Sequence, residues 1–116
     1  MIHHKVAVAF SNGEFKKVYP YLAESAEWII VGESHFKGKQ SIIRNCEQVA
    51  AYFNAVKTVF KTMNVIADES RVVVNGTAEF IRNQRRVSFV SACDVYEFNE
   101  NNEIQMITSY CIQEKL

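Results

Sequence analysis

Residues 86–98 read RVSFVSACDVYEF, and this stretch governs how the rest of the sequence is interpreted. With the two-residue period of a β-strand, it carries apolar side chains on both faces, which predicts a strand covered by protein on both sides. Asp94 is the exception, because it shares a face with Ala92 and Tyr96. A buried carboxylate is costly unless it is hydrogen-bonded, paired or protonated. The sequence therefore predicts a cavity with an acid in it.

The composition is that of an ordinary globular protein, and the length predicts a single domain spanning 1–116. The chain of 116 residues is 48% hydrophobic and 22% charged, and its 13 basic and 13 acidic side chains cancel. This balance argues against nucleic acid or an anionic membrane as a partner. The N-terminus lacks the pattern of a signal peptide, and no apolar run reaches the roughly 18 residues of a membrane helix.

The cysteines and histidines bear on the compartment and on metal binding. Cys46, Cys93 and Cys111 fall in predicted regular elements without a paired spacing such as CxxC. An odd number of buried cysteines suits a reducing compartment and argues against a disulfide framework, so we expect a cytoplasmic location. The spacing of His3 and His4 supports no metal site, and we expect neither a metal nor another cofactor.

The order of helical and extended patterns predicts an α+β fold. Helical spacing of apolar residues predicts a short helix over 2–10, a second over 14–22 that Pro20 bends or shortens, and a long helix from 39 to about 54–56. Extended patterns predict a strand over 24–31, a loop over 32–38, and further strands over 58–67, 71–82, 86–98 and 103–113. Gly76, in the middle of a strand, predicts a bulge or bend.

The last two strands carry apolar residues on both faces, among them Phe89, Val95 and Ile112. Helices can cover only one face of a sheet, and monomers avoid large exposed apolar patches. We therefore expect a homodimer formed through the outer faces of these strands.

Three stretches together resemble a known superfamily: FSNGEFKKVYPYLAESAEW at 10–28, FKGKQSIIRNCEQ at 36–48 and ACDVYEFNENNEIQMI at 92–107. In this order they are similar to nuclear transport factor 2-like proteins, a superfamily that includes ketosteroid isomerases and SnoaL-like polyketide cyclases. The resemblance implies a cystatin-like, cone-shaped α+β fold, in which a strongly curved, mixed or antiparallel sheet wraps around a long helix and two short helices precede it. It implies much less about activity, because this fold hosts many unrelated functions.

Within that resemblance, Asp94 falls where ketosteroid isomerases hold the aspartic acid of their oxyanion hole, which an apolar site keeps neutral. The general-base aspartate of those enzymes would align near Ile30, which cannot take a proton. Their oxyanion-hole tyrosine would align near Val6, and the tyrosine of their long helix near Cys46. The resemblance therefore predicts no ketosteroid isomerase activity by that mechanism.

Two residues are catalytic candidates. Asp94 could act as an acid, a base or a hydrogen-bond donor at the cavity floor; the alternative is a structural carboxylate bonded to a neighbour. His35, in the predicted loop after the first strand, could shuttle protons at neutral pH, although a lone loop histidine is more often solvated. Glu79 could pair with Asp94 or lie on the outer face beside the arginines, and we favour the outer face. The expected ligand-binding residues are Trp28, Ile30, Cys46, Phe53, Tyr96 and Ser109.

Two functions remain open at this stage. The first is an enzyme of the isomerase, cyclase or lyase type, in which Asp94 handles a proton on an apolar, carbonyl-bearing substrate. The second is a non-catalytic module whose cavity or dimer surface holds a ligand or another chain. The buried acid favours the first, and the missing isomerase residues favour the second.

Overall fold

The computed structural model describes residues 2–115, and its centre is a mixed six-stranded sheet in the order β2-β1-β6-β5-β4-β3. Strands β1 and β6 run parallel, and every other neighbouring pair runs antiparallel. The strands are β1 (Leu22–Ile30), β2 (Ser34–Lys37), β3 (Lys57–Ala67), β4 (Arg71–Arg82), β5 (Arg85–Phe98) and β6 (Ile104–Gln113). The α+β class is confirmed, and none of the helices in residues 2–115 could cross a membrane.

The two α-helices lie against one face of the sheet, here called the inner face. Helix α1 (Ile2–Ser11) buries His3, Val6, Ala7 and Phe10, which share one side of a helix of period 3.6. Helix α2 (Lys39–Ala55) buries Ile42 and Cys46 and continues the same stripe with Val49 and Phe53. Both helices were predicted from that spacing, and both are confirmed.

Two local predictions were wrong. In place of the expected second helix over 14–22, the chain forms two 3₁₀ turns, Phe15–Lys17 and Tyr19–Tyr21, and then enters β1 at Leu22. Pro20 explains the difference, because it has no N–H to donate and clashes with a continuing α-helix. The segment 32–38 is not all loop, since Ser34–Lys37 forms the edge strand β2 against β1.

Alternation along β5 separates the two sides of the sheet. Tyr96 and Phe98 point inward and are buried. Asp94 shares their face, while Cys93 and Val95 point to the outer face. Because β5 lies between β4 and β6, Asp94 is flanked by Val74 on one side and by Ser109 on the other. The alternation predicted for this strand is therefore confirmed, whereas cover on both of its faces is not seen within the described chain, because residues 85–95 of β5 are exposed or half-buried.

Gly76 lies opposite a bulge, as its position in the strand predicted. The register between β3 and β4 shifts between Thr62 and Asn64, which leaves Met63 as the extra residue. A Cβ atom at Gly76 would clash with the carbonyl oxygen of Lys61, so only glycine fits without a shift of the backbone.

We expect Gly76→Ala to destabilise the protein by about 1–3 kcal/mol, because the added methyl group overpacks a rigid backbone contact. Urea unfolding followed by circular dichroism measures the loss. Gly32→Ala is the control: a Cβ there meets nothing within 4 Å, and its cost comes only from its φ of 80°. A Gly76→Ala protein as stable as the wild type would contradict the close approach of β3.

Candidate functional site

A cavity of about 270 Å³ lies between the inner face of the sheet, the end of α1 and the side of α2. Its walls are mainly apolar, and the aromatic residues among them are Phe10, Phe15, Trp28, Phe53, Phe60 and Phe80. These rings contact one another, with Phe53 5.2 Å from Phe60 and 5.7 Å from Phe80 between ring centroids. Such a chamber suits an apolar ligand.

The space exists because the sheet carries small residues at its centre. Gly76 pairs with Ala92, and Ala78 pairs with Val90, across β4 and β5. All four residues line the cavity. Their side chains are too short to fill the gap between the sheet and the two helices, so close packing fails at this place.

Asp94 is the only carboxylate among the described residues that line the cavity. Two serines flank it, one from each side of the cavity floor. The Ser11 hydroxyl at the end of α1 donates a hydrogen bond of 2.7 Å to Oδ2 of Asp94. Ser109 on β6 is the strand partner of Asp94, and its hydroxyl lowers the pKa of the acid.

Each serine is bonded in turn to a buried aromatic residue. Trp28 donates from Nε1 to Oγ of Ser109 at 2.9 Å. The Tyr96 hydroxyl lies 2.6 Å from Oγ of Ser11, and its side chain is fully buried. The acid is thus hydrogen-bonded to α1 through Ser11, and beside it the pair Ser109–Trp28 joins β6 to β1.

The electrostatics of the site favour neutral groups. Burial raises the pKa of Asp94 above its ordinary value, and the hydrogen bonds from Ser109 and Ser11 oppose this only in part. Burial also raises the pKa of Tyr96 well above its usual range and that of Cys111 to about 11. The one cation among the described lining residues, Lys61, is exposed at the rim.

The structure brings most of the predicted ligand-binding residues together. Trp28, Ile30, Phe53 and Ser109 line the cavity with Asp94. Tyr96 is not part of the wall, but its hydroxyl reaches the site through Ser11.

Two predicted residues lie elsewhere. Cys46 is fully buried in the core beneath α2 and is not a lining residue. His35 lies on the edge strand β2, exposed and outside the cavity, where its Nε2 is 2.6 Å from Oε1 of Glu27. Glu79 is not paired with Asp94; it accepts a hydrogen bond of 2.6 Å from Nε of Arg86 on the outer face, as we favoured.

Sequence reasoning missed Ser11 as a site residue, because the predicted first helix ends at residue 10 and Ser11 falls in the break before the next predicted helix. A signal was present, since Ser11 follows Ala7 by four residues and therefore shares the buried side of the helix. Among residues 2–115 no group of three or more metal-ligating side chains occurs.

Comparison with known proteins places this geometry in a family. A family model described as a SnoaL-like domain matches residues 4–106. No curated protein matches the sequence. An NTF2-like protein of unknown function from Cytophaga hutchinsonii is 36% identical, with a TM-score of 0.85 over 95% of this chain and 96% of that one.

Two similar structures carry names that describe an activity. An LEH-like epoxide hydrolase of M. tuberculosis is 21% identical, with a TM-score of 0.70 over 95% of this chain and 82% of that one. The epoxide hydrolase/cyclase-like enzyme SalBIII, which acts in pyran ring formation in the polyether salinomycin, is 14% identical, with a TM-score of 0.72 over 95% and 90% of the two chains. At these identities the likeness concerns the fold alone.

The raised pKa of Asp94 gives a prediction for the pH dependence of stability. Below the ordinary pKa of about 3.9, the acid is neutral in both the folded and the unfolded chain. As the pH rises, Asp94 ionises first in the unfolded chain, which lowers the free energy of unfolding. This loss grows until the folded acid ionises as well, and above that pH it stays constant. We expect Asp94→Asn to gain stability relative to the wild type as the pH rises from 3 to 7.

Urea unfolding of both proteins across this range measures the difference in the free energy of unfolding, from which the titration of all other groups cancels. Asp68→Asn, in the exposed turn between β3 and β4, is the matched control for the chemical change itself. A difference that falls with pH would mean that the folded protein stabilises the charged form of Asp94.

Proposed function

Because this chain belongs to the SnoaL-like domain family, we propose that it is an enzyme of the isomerase or cyclase type that exchanges a proton between Asp94 and an oxygen of a neutral, apolar substrate. The observation that carries the proposal is the placement of one buried, hydrogen-bonded acid on the floor of an otherwise apolar cavity. A group held in this way is typical of a site that handles protons.

The size and polarity of the cavity bound the substrate. A volume of about 270 Å³ corresponds to about nine water molecules at roughly 30 Å³ each. The volume is close to the lower end of ligand pockets, about 300 Å³. Asp94, Ser11 and Ser109 form one polar group on the cavity floor, and the other polar lining residues are Asn12, Lys61, Thr62 and Thr77. The group on the floor suits a hydrocarbon skeleton with an oxygen at that end.

The chemistry uses Asp94 first as an acid. The neutral carboxylic acid donates its proton to a carbonyl, ether or epoxide oxygen as negative charge develops there. The carboxylate that remains accepts the hydrogen bonds of Ser11 and Ser109, which stabilise it in a dry site. The same carboxylate then takes a proton from the reacting molecule, which restores the acid and balances an isomerisation or a ring closure.

The names of the two similar enzymes describe an epoxide hydrolase and a role in pyran ring formation, so both chemistries concern an oxygen that belongs to a ring. This supports the choice of an oxygen-bearing apolar substrate here. A base-dependent steroid isomerisation is not proposed, since Ile30 lines the cavity and Val6 belongs to the core.

A second candidate is a binding module without catalysis. The observation that favours it is the absence, among the described lining residues, of a second carboxylate or of a histidine. In that case Asp94 only donates a hydrogen bond to the ligand oxygen.

Turnover of small test substrates separates the two functions. Cyclohexene oxide reports ring opening, and 3-cyclohexenone reports isomerisation to the conjugated enone by its ultraviolet absorbance. If Asp94 transfers the proton, Asp94→Asn should lower the rate at least about 100-fold, the usual contribution of general acid–base catalysis. Asp68→Asn should keep the wild-type rate.

Binding of the same molecules is measured in parallel by titration calorimetry. Binding without turnover, equal in wild type and Asp94→Asn, would favour the binding module. A wild-type protein that neither binds nor converts any of these small oxygenated rings would contradict both functions.

We also propose that two copies of the chain associate through the outer face of β5 and β6. Tyr110 and Ile112 are 48% and 67% exposed on this face, and Phe89 and Val95 lie beside them on β5. Two ion pairs on the same face join β5 to the neighbouring strand β4, Arg86–Glu79 and Arg71–Glu97. Because the charges on this face are paired within the chain, the face suits a two-fold contact with the same face of a second copy.

We expect Ile112→Arg to shift the protein toward the monomer at micromolar concentration, because it places an unpaired charge in an apolar contact. Sedimentation equilibrium measures the change. Gln48→Arg adds the same charge to the exposed side of α2, which lies on the inner side of the sheet, and should leave the association unchanged. A wild-type chain that is monomeric throughout would contradict the proposal.

The three cysteines are free thiols in the structure. We propose on this ground that the protein works in a reducing compartment such as the cytoplasm.

A further inference from the structure

We propose that the cavity takes a molecule with its oxygen at one end and a slender hydrocarbon tail that runs along β5 away from Asp94. Ala92 and Ala78 are the specificity-determining residues, because they leave the space beside the acid and the space for the tail. The role of the oxygen rests on the proposed function, whereas the direction of the tail follows from the register of the sheet.

On the inner face, paired residues of neighbouring strands form rows that cross the sheet. The acid row contains Val74, Asp94 and Ser109. The next row toward the start of β5, here called the small row, contains Gly76, Ala92 and Cys111. The row after it, here called the far row, contains Phe60, Ala78 and Val90. All the residues of these three rows line the cavity.

The cavity is closed on the other side of the acid row. There the next row of the inner face consists of Val72, Tyr96 and Ile107. Each of these side chains is 0% exposed and belongs to the hydrophobic core. Because a core is packed without gaps of ligand size, the space beside Asp94 extends in one direction only. The acid therefore lies at the closed end of the cavity.

The cavity opens toward the small row and the far row. Ser109 in the acid row is 2% exposed, whereas Cys111 in the small row is exposed. Ala78 and Val90 in the far row are half-buried. A ligand therefore meets Asp94 with the end that enters first. That end carries the oxygen, because a buried oxygen needs a hydrogen-bonding partner.

The length and the walls of the cavity describe the rest of the ligand. Val90 precedes Asp94 by four residues, which is about 13 Å along an extended strand. A volume of about 270 Å³ over this length makes a narrow space. Phe60 in the far row contacts Phe53 at 5.2 Å between ring centroids, and these apolar walls suit a hydrocarbon tail.

Ala92 and Ala78 lie at different depths of this space. Ala92 is two residues from Asp94 on the same face of β5, so a larger side chain there narrows the space beside the ligand oxygen. Ala78 is the strand partner of Val90, so a larger side chain there shortens only the space for the tail. Substitutions at the two positions therefore test the two ends of the ligand separately.

A pair of isomers tests the direction of the tail. In 4-propylcyclohexanone the propyl group lies opposite the carbonyl, and in 2-propylcyclohexanone it lies next to it. Each buried methylene group lowers Kd about fourfold, so the 4-propyl isomer should bind at least about tenfold more tightly than cyclohexanone. The 2-propyl isomer should gain nothing, because its tail meets the closed end. Titration calorimetry of the full-length protein measures the three Kd values.

Matched variants locate the tail. Ala78→Leu should remove the gain of the 4-propyl isomer and leave the Kd of cyclohexanone unchanged, whereas Ala92→Leu should weaken both ketones. Ser91→Leu, on the outer face of β5, is the control and should leave every Kd unchanged. Ala78→Val takes a smaller step and should remove part of the gain. Since the added carbons fill empty space, Ala78→Leu should unfold at the wild-type temperature or above it.

The outcomes separate the failure of the inference from that of the proposed function. Equal binding of the two propyl isomers, a 4-propyl gain that survives Ala78→Leu, or no binding of any of these ketones would overturn the inference. Turnover of 3-cyclohexenone that depends on Asp94 would then leave the proposed function standing. The expected order of affinities, without turnover of 3-cyclohexenone or cyclohexene oxide, would count against the proposed catalysis alone.

Discussion

A carboxylic acid buried without a cation is the interaction on which the rest of this structure depends. Asp94 occupies the inner face of β5 between two serines: Ser11 of α1 donates a hydrogen bond to it, and Ser109 of β6 is its strand partner. Ser11 comes from the opposite end of the chain. The position of the first helix on the sheet is therefore part of the site.

Helix α1 is fastened to β5 at two points. The ring of His3 stacks on Phe98 at 4.0 Å, while Ser11 bonds to Asp94. From His3 to Ser11 a helix rises about 12 Å, and from Phe98 to Asp94 an extended strand spans about 13 Å. The two lengths match, so the contact at His3 brings Ser11 to the acid without strain. Asn102, in the turn before β6, adds a hydrogen bond of 2.9 Å from Nε2 of His3.

Much of the fold could be predicted from local pattern, because the period of each element is a local property. The two faces of β5, the buried stripe of α2 and the bulge opposite Gly76 all follow from spacing or residue type. The four-residue strand β2 is too short to show a period, and its partner β1 decides its conformation. The position of His35 was misjudged for the same reason, because His35 lies on β2, outside the cavity and beside Glu27.

The site itself could be predicted only in part. Asp94 could be identified from the sequence as an acid among apolar residues. Four lining residues could be identified as apolar or small residues on neighbouring elements: Trp28, Ile30, Phe53 and Ser109. The role of Ser11 depends on where the end of α1 meets the sheet, which no local pattern records.

The cavity and the acid constrain each other through the register of β5. Because side chains alternate along a strand, a shift of one residue would exchange Asp94 for Cys93 or Val95 on the inner face. It would also move Ala92 away from Gly76 and close the space that these small residues leave open. The outer face would change with it and present the acid to solvent or to a partner. A single register thus sets the cavity, the acid and the outer apolar face together, which explains why the inner alternation of β5 continues without a break from Val90 through Tyr96.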